Sequence, residues 1–250
     1  MDITIPQTYE ELNEQQRGVL CSILLTSSPF GGGGGRLPVR IIKTLISHLP
    51  NRTQQQLLQE VPFTALWQYA EPFLTTEKLY HFREVTKMIA PAPRLANLTI
   101  KQFSVADSLY YRLRLSQYQD ELLLRQLMAS LYNLPDTPFD VLNLPQVAEH
   151  TDKTPITTAY EVAFAYTCCR EYIIGKYPKV FSSPSSTQRG EKPVFRKEAA
   201  YTPFSKIISV MAMDKHQPLG NWHQCNATRV YDFFEVLTES ILQAEQRAKS

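Results

Sequence analysis

The chain has 250 residues, of which 43% are hydrophobic and 20% are charged. This composition is typical of a folded globular protein and excludes a largely disordered chain. The 26 basic and 24 acidic side chains give a formal net charge of only +2, and the basic residues form no stripe along the sequence. Proteins that bind nucleic acid mainly through its phosphates usually carry a stronger basic excess, so nucleic acid is disfavoured as the main partner.

The sequence predicts a cytoplasmic protein. Its first residues, Met1–Pro6, lack the basic segment and apolar core of a secretory signal. No stretch approaches the roughly 20 apolar residues that a membrane-spanning helix needs. Two of the four cysteines are adjacent, which suits neither an ordinary intrachain disulfide nor a paired metal motif. We therefore expect four reduced thiols, at Cys21, Cys168, Cys169 and Cys225.

Apolar residues recur at helical spacing from the N-terminal part of the chain onwards. Thr8–Glu11 has the pattern of a capping box, which predicts the start of a first helix. Five consecutive glycines, Gly31–Gly35, separate this helix from a second one that has Pro38 in its first turn. Because neither Lys-Ser nor Lys-Thr follows the glycines, they indicate a flexible connector rather than a phosphate-binding loop.

Further helices are predicted along the rest of the chain. The segment 75–89, with a threonine cap at its start, has the period of a helix, and Pro91-Ala92-Pro93 then breaks the chain. Thr99–Gln102 forms a second capping box, and Asn226 is the predicted cap of the last helix. The other predicted helices lie near residues 53–59, 63–69, 119–132, 154–175 and 204–213.

These patterns predict an all-α protein, an irregular bundle of about eight or nine helices. The proline break is the predicted boundary between two packed subdomains, residues 1–90 and 94–250. The first contains the glycine run, and the second contains a polar segment, 182–193, that we predict to be a mobile loop. No strand pattern competes with the helices, and the sequence shows no internal repeat.

One group of residues has the composition of a metal site. His216, His223 and Cys225 lie close together in the sequence, and Asp214 could add an oxygen ligand. Zinc requires three or four ligands in tetrahedral geometry, and no second paired motif is present. We therefore predict that these histidines lie on the surface or form local hydrogen bonds, that the protein binds no metal or other cofactor, and that a metal-dependent enzyme is only a third hypothesis.

No catalytic constellation is recognisable in the sequence. Asp107 has no partner carboxylate or base that the sequence identifies, and stabilisation of its helix dipole is the simpler interpretation. Cys168 and Cys169 lie in the middle of a helix, which predicts packing rather than reactive thiols. Arg170 and Glu171 are candidates for surface or inter-helix ion pairs. We therefore predict that the protein is not an enzyme.

The segment 110–114 interleaves aromatic and basic side chains. Such residues stack on bases and pair with phosphates, but they are also enriched at protein interfaces. The near-neutral charge favours a protein interface or plain packing, with Tyr110, Tyr111, Arg112 and Arg114 as the candidate interface residues. Nucleic-acid binding through the same residues is the second hypothesis, and self-association into a homo-oligomer is left open.

Four segments of the chain resemble parts of uncharacterised helical proteins encoded by bacterial prophages. The first is residues 103–110, FSVADSLY, and the others are Leu127–Tyr132, Cys169–Phe181 and Val230–Phe234. The resemblance covers roughly residues 99 to 247 and leaves out the first hundred residues. It implies a role in phage tail or virion assembly, as a tail assembly chaperone or a minor structural component that binds other proteins and has no catalytic residues.

Overall fold

The computed structural model describes residues 4–27, 37–181 and 201–248. Within these ranges the chain forms twelve α-helices and two single-turn 3-10 helices, and it contains no β-strand. The all-α class is therefore confirmed, whereas the predicted number of eight or nine helices is wrong. The predicted glycine connector Gly31–Gly35 and the predicted mobile loop 182–193 lie outside the described residues.

The helices account for most of the described chain. Their bounds are α1 Glu14–Thr26, α2 Leu37–Leu45, α3 Asn51–Glu60, α4 Phe63–Thr75, α5 Ile100–Leu115, α6 Glu121–Leu131, α7 Leu144–Thr151, α8 Ile156–Lys176, α9 Pro178–Phe181, α10 Phe204–Met213, α11 Trp222–Ala227 and α12 Val230–Arg247. The 3-10 helices are Pro93–Leu95 and Val141–Asn143. The sequence pattern did not predict α7, α9 and α11, which have eight, four and six residues and so show little periodicity. None of the described helices has the length and apolar character needed to cross a membrane.

The first helix begins later than the predicted capping box at Thr8–Glu11. Its cap is Asn13, whose side chain accepts the backbone N–H of Gln16 at 2.9 Å. The Gln16 side chain accepts the Asn13 N–H in return, at 3.1 Å. Tyr9 and Leu12 are buried in the core before the helix starts. The prediction is therefore wrong because a second capping box lies downstream and the earlier residues pack as a hydrophobic turn.

The predicted helix over residues 75–89 is absent. Helix α4 ends at Thr75, and the segment that follows it forms no helix up to residue 89. The backbone carbonyls of the segment accept hydrogen bonds from distant residues instead of forming a helical ladder. The Tyr80 carbonyl accepts the N–H of Arg94 at 3.2 Å, and the Arg83 carbonyl accepts the Tyr132 hydroxyl at 2.5 Å. These long-range partners outweigh the helical period of the local sequence.

Two other predicted caps differ in the structure. The cap of α12 is Arg229, which makes no side-chain capping bond, and the predicted cap Asn226 lies inside α11. Thr99 does cap α5, because its hydroxyl accepts the N–H of Gln102 at 3.3 Å. The predicted capping box is incomplete, however, because the side chain of Gln102 binds the end of α6 and not the backbone N–H of Thr99.

The amide of Gln102 satisfies the C-terminal end of α6. Its Nε2 atom donates to the backbone carbonyls of Ser130 and Leu131, at 3.1 Å each. The last carbonyls of a helix have no partner within that helix, and burying them unpaired is costly. Gln102 is only 1% exposed, so this contact closes the end of α6 inside the core.

Gln16 makes the same contact between α1 and α2. Its Nε2 atom donates to the carbonyls of Thr44 and Leu45, at 3.1 and 2.9 Å. Both glutamines are the third residue of their helix, and both donate to carbonyls 28 and 29 residues further along the chain. The α1–α2 and α5–α6 pairs are thus closed by the same glutamine contact at the same spacing along the chain.

Buried apolar side chains form two clusters, and α8 contributes to both. The first cluster lies mainly among α1, α2 and α4, and the second among α5, α6, α8, α10 and α12. α8 adds Ala165 to the first cluster and Val162 and Tyr166 to the second. A Cβ atom on Gly18 of α1 would lie 2.8 Å from Thr157, so glycine permits the close approach of α1 to α8. The predicted division into residues 1–90 and 94–250 stays a prediction.

We expect the substitution Gln102→Leu to lower the free energy of unfolding by about 3 kcal/mol, because it leaves two buried carbonyls unpaired while nearly keeping the side-chain volume. Urea unfolding followed by circular dichroism measures this change. The matched control is Gln56→Leu on the exposed surface of α3, which should change stability by less than about 0.5 kcal/mol. Equal effects of the two substitutions would contradict the assigned role of Gln102.

Candidate functional site

Asp107 is a buried carboxylate whose three partners come from other parts of the fold. Its Oδ1 atom accepts from Arg170 Nε at 2.5 Å and from the Tyr166 hydroxyl at 3.3 Å, and its Oδ2 atom accepts from the Tyr201 hydroxyl at 3.0 Å. Asp107 is 0% exposed. The interpretation of Asp107 as a stabiliser of its own helix dipole is therefore wrong, because its carboxylate joins α5 to α8 and to the residues before α10.

The guanidinium of Arg170 completes this closed network. Burial lowers the pKa of Arg170, but the neighbouring carboxylate of Asp107 more than compensates and raises it above its ordinary value. The guanidinium carbon also lies 5.6 Å from the ring centroid of Tyr110. Arg170 therefore forms an inter-helix ion pair, one of the two alternatives that the sequence left open. Both oxygens of the carboxylate accept hydrogen bonds, so the network has a structural use: it joins α5 to α8 and to the residues before α10.

The four candidate interface residues do not share one surface. Tyr110 is only 5% exposed, and its ring packs 5.1 Å from that of Tyr166. Tyr111 stacks on Tyr201 with a centroid distance of 4.3 Å and an interplanar angle of 11°. Arg112 and Arg114 are exposed. Tyr110 is thus a core residue and no interface residue, whereas both arginines are accessible.

A second buried carboxylate, Glu161, lies on the same helix as Arg170. Its Oε1 atom accepts from Arg17 Nε of α1 at 2.7 Å, and its Oε2 atom lies 3.8 Å from Arg83 Nη1. Burial raises the pKa of Glu161 above its ordinary value, against the opposing effect of the two arginines. Arg83 also pairs with Glu14 of α1. This group ties α1 and the segment after α4 to α8.

The histidines and cysteines do not come together. His216 lies in an exposed turn, His223 lies in the first turn of α11, and the buried Cys225 donates through its thiol to the carbonyl of Gly220 at 3.5 Å. No three His, Cys, Asp or Glu side chains within 4–27, 37–181 and 201–248 form a group that could hold a metal ion.

All four cysteines are buried, and none of them forms a disulfide. Burial raises the pKa of the Cys169 thiol to about 12 and also raises that of Cys168. Thiols with raised pKa values carry little thiolate at neutral pH and are poor nucleophiles. The packing interpretation of Cys168 and Cys169 agrees with their burial.

A groove of about 680 Å³ opens between α5, α6 and α7. Apolar side chains line most of it, and several are exposed to an unusual degree, with Leu122 65% and Val141 45% accessible. Arg125 lies at the groove but is occupied, because its guanidinium binds Glu121 and the backbone carbonyls of Asp152 and Thr154. The other lining residues are Ser104, Val105, Ser108, Leu109, Gln126, Ala129, Leu144, Pro145, Ala148, Asp152 and Ser205.

The α5 wall of the groove continues towards a basic side chain. Val105, Leu109 and Arg112 are spaced i, i+4 and i+7 along α5, so they lie on one face of the helix. Arg112 is exposed and makes no ion pair with any carboxylate in the described part of the chain. The groove therefore has largely apolar walls, and the exposed guanidinium of Arg112 lies about one helical turn beyond Leu109 on α5.

Comparison with known proteins gives no relative for this chain. No protein-family model matches it, and no curated protein or solved structure matches it significantly. The similarity to helical proteins encoded by prophages therefore stays a prediction, and the geometry of the chain itself has to carry any functional proposal.

We expect Asp107→Asn to lower the free energy of unfolding by about 3 kcal/mol or more, because it leaves the largely buried guanidinium of Arg170 without a counter-charge. Denaturant unfolding measures the loss. The control is Glu171→Gln on the same helix, which removes only an exposed ion pair of 3.6 Å with Lys78. Exposed pairs contribute about 0–1 kcal/mol, so a similar loss for both substitutions would disprove the anchoring role of Asp107.

Proposed function

We propose that the protein has a non-enzymatic function, and that the groove between α5, α6 and α7 binds an amphipathic helix of another protein. The observation that carries the proposal is the exposure of large apolar side chains around one concave surface, led by Leu122 and Val141. Contiguous apolar surface of this kind on a folded protein typically marks a binding site, because its contact with water is unfavourable.

The walls of the groove fit a helical partner. Leu122, Gln126 and Ala129 are spaced i, i+4 and i+7 on α6, as Val105 and Leu109 are spaced i and i+4 on α5. Two helical walls with such regular ridges present a trough into which the apolar face of a third helix can pack. The partner is expected to carry an acidic residue near one end, where it would meet Arg112.

The resemblance to prophage proteins indicates which partners to test first. It implies that the partner is a component of the phage tail or virion, bound either during assembly by a chaperone or permanently by a minor structural component. In both roles the groove would bind an amphipathic helix of the partner and cover its apolar face. The difference between the two roles lies in whether the complex persists in the finished particle.

Nucleic-acid binding remains the second hypothesis and now depends on fewer residues. The buried ring of Tyr110 cannot stack on a base, so the basic side chains Arg112 and Arg114 are left to contact phosphates. Binding that weakens steeply with added salt would favour this alternative. The groove does not favour it, because apolar floors carry no attraction for a phosphate backbone.

The test compares Leu122→Glu with Leu115→Glu. Leu115 is 64% exposed and does not line the groove, so it matches Leu122 in residue type and accessibility. A charge at Leu122 should weaken binding of the partner by at least about 10-fold, since burial of a leucine contributes about 1.5–3 kcal/mol. Quantitative affinity capture from cells producing phage particles, followed by titration of the captured segment, measures the effect.

Three results together would support the proposal. The captured partner is a virion or tail protein, and the segment of it that binds the groove is an amphipathic helix. Capture of this partner is lost with Leu122→Glu but retained with Leu115→Glu. Retention of every captured protein by the Leu122→Glu variant would refute binding in the groove. Capture of a non-phage protein by the groove would refute the assembly role alone.

A further inference from the structure

A second concave surface, separate from the groove, has an unusual composition. This pocket of about 500 Å³ is lined by Tyr80, His81, Pro93, Arg94, Ala96, Tyr172, Lys176 and Tyr231. Three tyrosines and two permanent cations thus lie around one opening, and no aspartate or glutamate lines it. In a chain with almost equal numbers of acidic and basic residues, this is a local concentration of positive charge.

The guanidinium of Arg94 is held on two aromatic faces. Its central carbon lies 5.0 Å from the ring centroid of Tyr80 and 4.6 Å from that of Tyr172. The two rings meet edge to face at a centroid distance of 6.0 Å. No carboxylate of the described ranges forms an ion pair with Arg94. Aromatic stacking fixes the plane of the guanidinium and leaves its N–H edges as donors for an acceptor from outside the protein.

The backbone at Arg94 is held in an unfavourable conformation. Arg94 has φ 56° and ψ 21°, and Leu95 has φ 63°, so two consecutive side chains that are not glycine occupy the left-handed region. The surroundings fix this turn, because the Arg94 N–H donates to the Tyr80 carbonyl at 3.2 Å and the Tyr231 hydroxyl donates to the Arg94 carbonyl at 2.7 Å. Strain of this kind persists where neighbouring groups over-determine the geometry, and it concentrates at ligand sites.

Lys176 supplies the second positive charge. Its ammonium lies 4.8 Å from the ring centroid of Tyr231 and 3.4 Å from a carboxylate oxygen of Glu235. Glu235 is exposed and does not line the pocket. An ammonium has three donors, and Glu235 and Tyr177 engage two of them, so one donor is left to bind a second anionic group.

From this arrangement we infer that the pocket binds a phosphate monoester with a flat, aromatic body, a ligand of the size of a mononucleotide. Two cations facing one opening match a dianionic phosphate better than a carboxylate of single charge, and a guanidinium fork binds phosphate oxygens in pairs. The pocket is far larger than a phosphate ion, and three tyrosines are among its lining residues, so an aromatic group attached to the phosphate would meet aromatic side chains there. This ligand site is independent of the protein-binding groove.

The experiment is isothermal titration calorimetry of the full chain with adenosine monophosphate, inorganic phosphate and citrate at constant ionic strength. The test variant is Arg94→Gly, because glycine adopts the left-handed conformation without strain while the substitution removes the guanidinium together with its aliphatic stem. Its melting temperature should equal or exceed that of the unmodified protein, which separates loss of binding from loss of folding. The control is Arg52→Ala, an exposed arginine on α3.

We expect adenosine monophosphate to bind more tightly than inorganic phosphate, and Arg94→Gly to weaken that binding by at least about 10-fold, while Arg52→Ala leaves it unchanged. Equal binding by the Arg94→Gly variant would overturn the inference. So would the absence of heat with both phosphate compounds, or binding of citrate as tight as that of the nucleotide. Replacement of Tyr172 by alanine should reduce the preference for the nucleotide over inorganic phosphate.

Discussion

The fold depends on one helix, α8, that carries two buried charges of opposite sign. Glu161 receives the guanidinium of Arg17 from α1, and nine residues further along, Arg170 receives the carboxylate of Asp107 from α5. Removing one partner of a buried ion pair costs about 3–5 kcal/mol, because the remaining charge is neither solvated nor compensated. Neither α1 nor α5 can leave α8, or slide along it, without exposing such a charge. Helix α1 holds α2 through Gln16, and α5 holds α6 through Gln102. The α1–α2 and α5–α6 pairs are therefore both positioned by α8.

These buried charges lie inside the fold, while two concave features lie on its surface. Asp107 and its partners form hydrogen bonds with one another and hold α5 against α8. By fixing α5, the Asp107–Arg170 pair also fixes one wall of the apolar groove. The C-terminal end of α8, just beyond Arg170, contributes Tyr172 and Lys176 to the tyrosine-rich pocket. The proposed binding at either surface would use positions that the core holds in place, and this would lower the entropy cost of recognition.

Periodicity and proline positions were sufficient to predict the all-α class and the main helices, because an amphipathic helix records its buried face locally. They failed where distant residues decide the structure, as in segment 75–89, and where a helix is too short to show a period, as in α11, which contains Asn226. Asp107 and Tyr110 were misinterpreted for the same reason, since their partners lie on α8, far along the chain. One signal was available: Phe103, Asp107 and Tyr110 share a face of α5, and a charge on an otherwise apolar face indicates a buried counter-charge. The groove and the pocket have no such signal, because each combines residues from several separate elements.

Native-state hydrogen exchange is the most direct test of the central position of α8. The ion pairs predict that the amides between Glu161 and Arg170 exchange only when the whole chain unfolds, so their exchange free energies should equal the global free energy of unfolding. The amides of α3, which buries no side chain, should exchange through local opening at a much lower free energy. Exchange of the α8 amides through a local opening well below the global value, with the rest of the core still protected, would contradict the account.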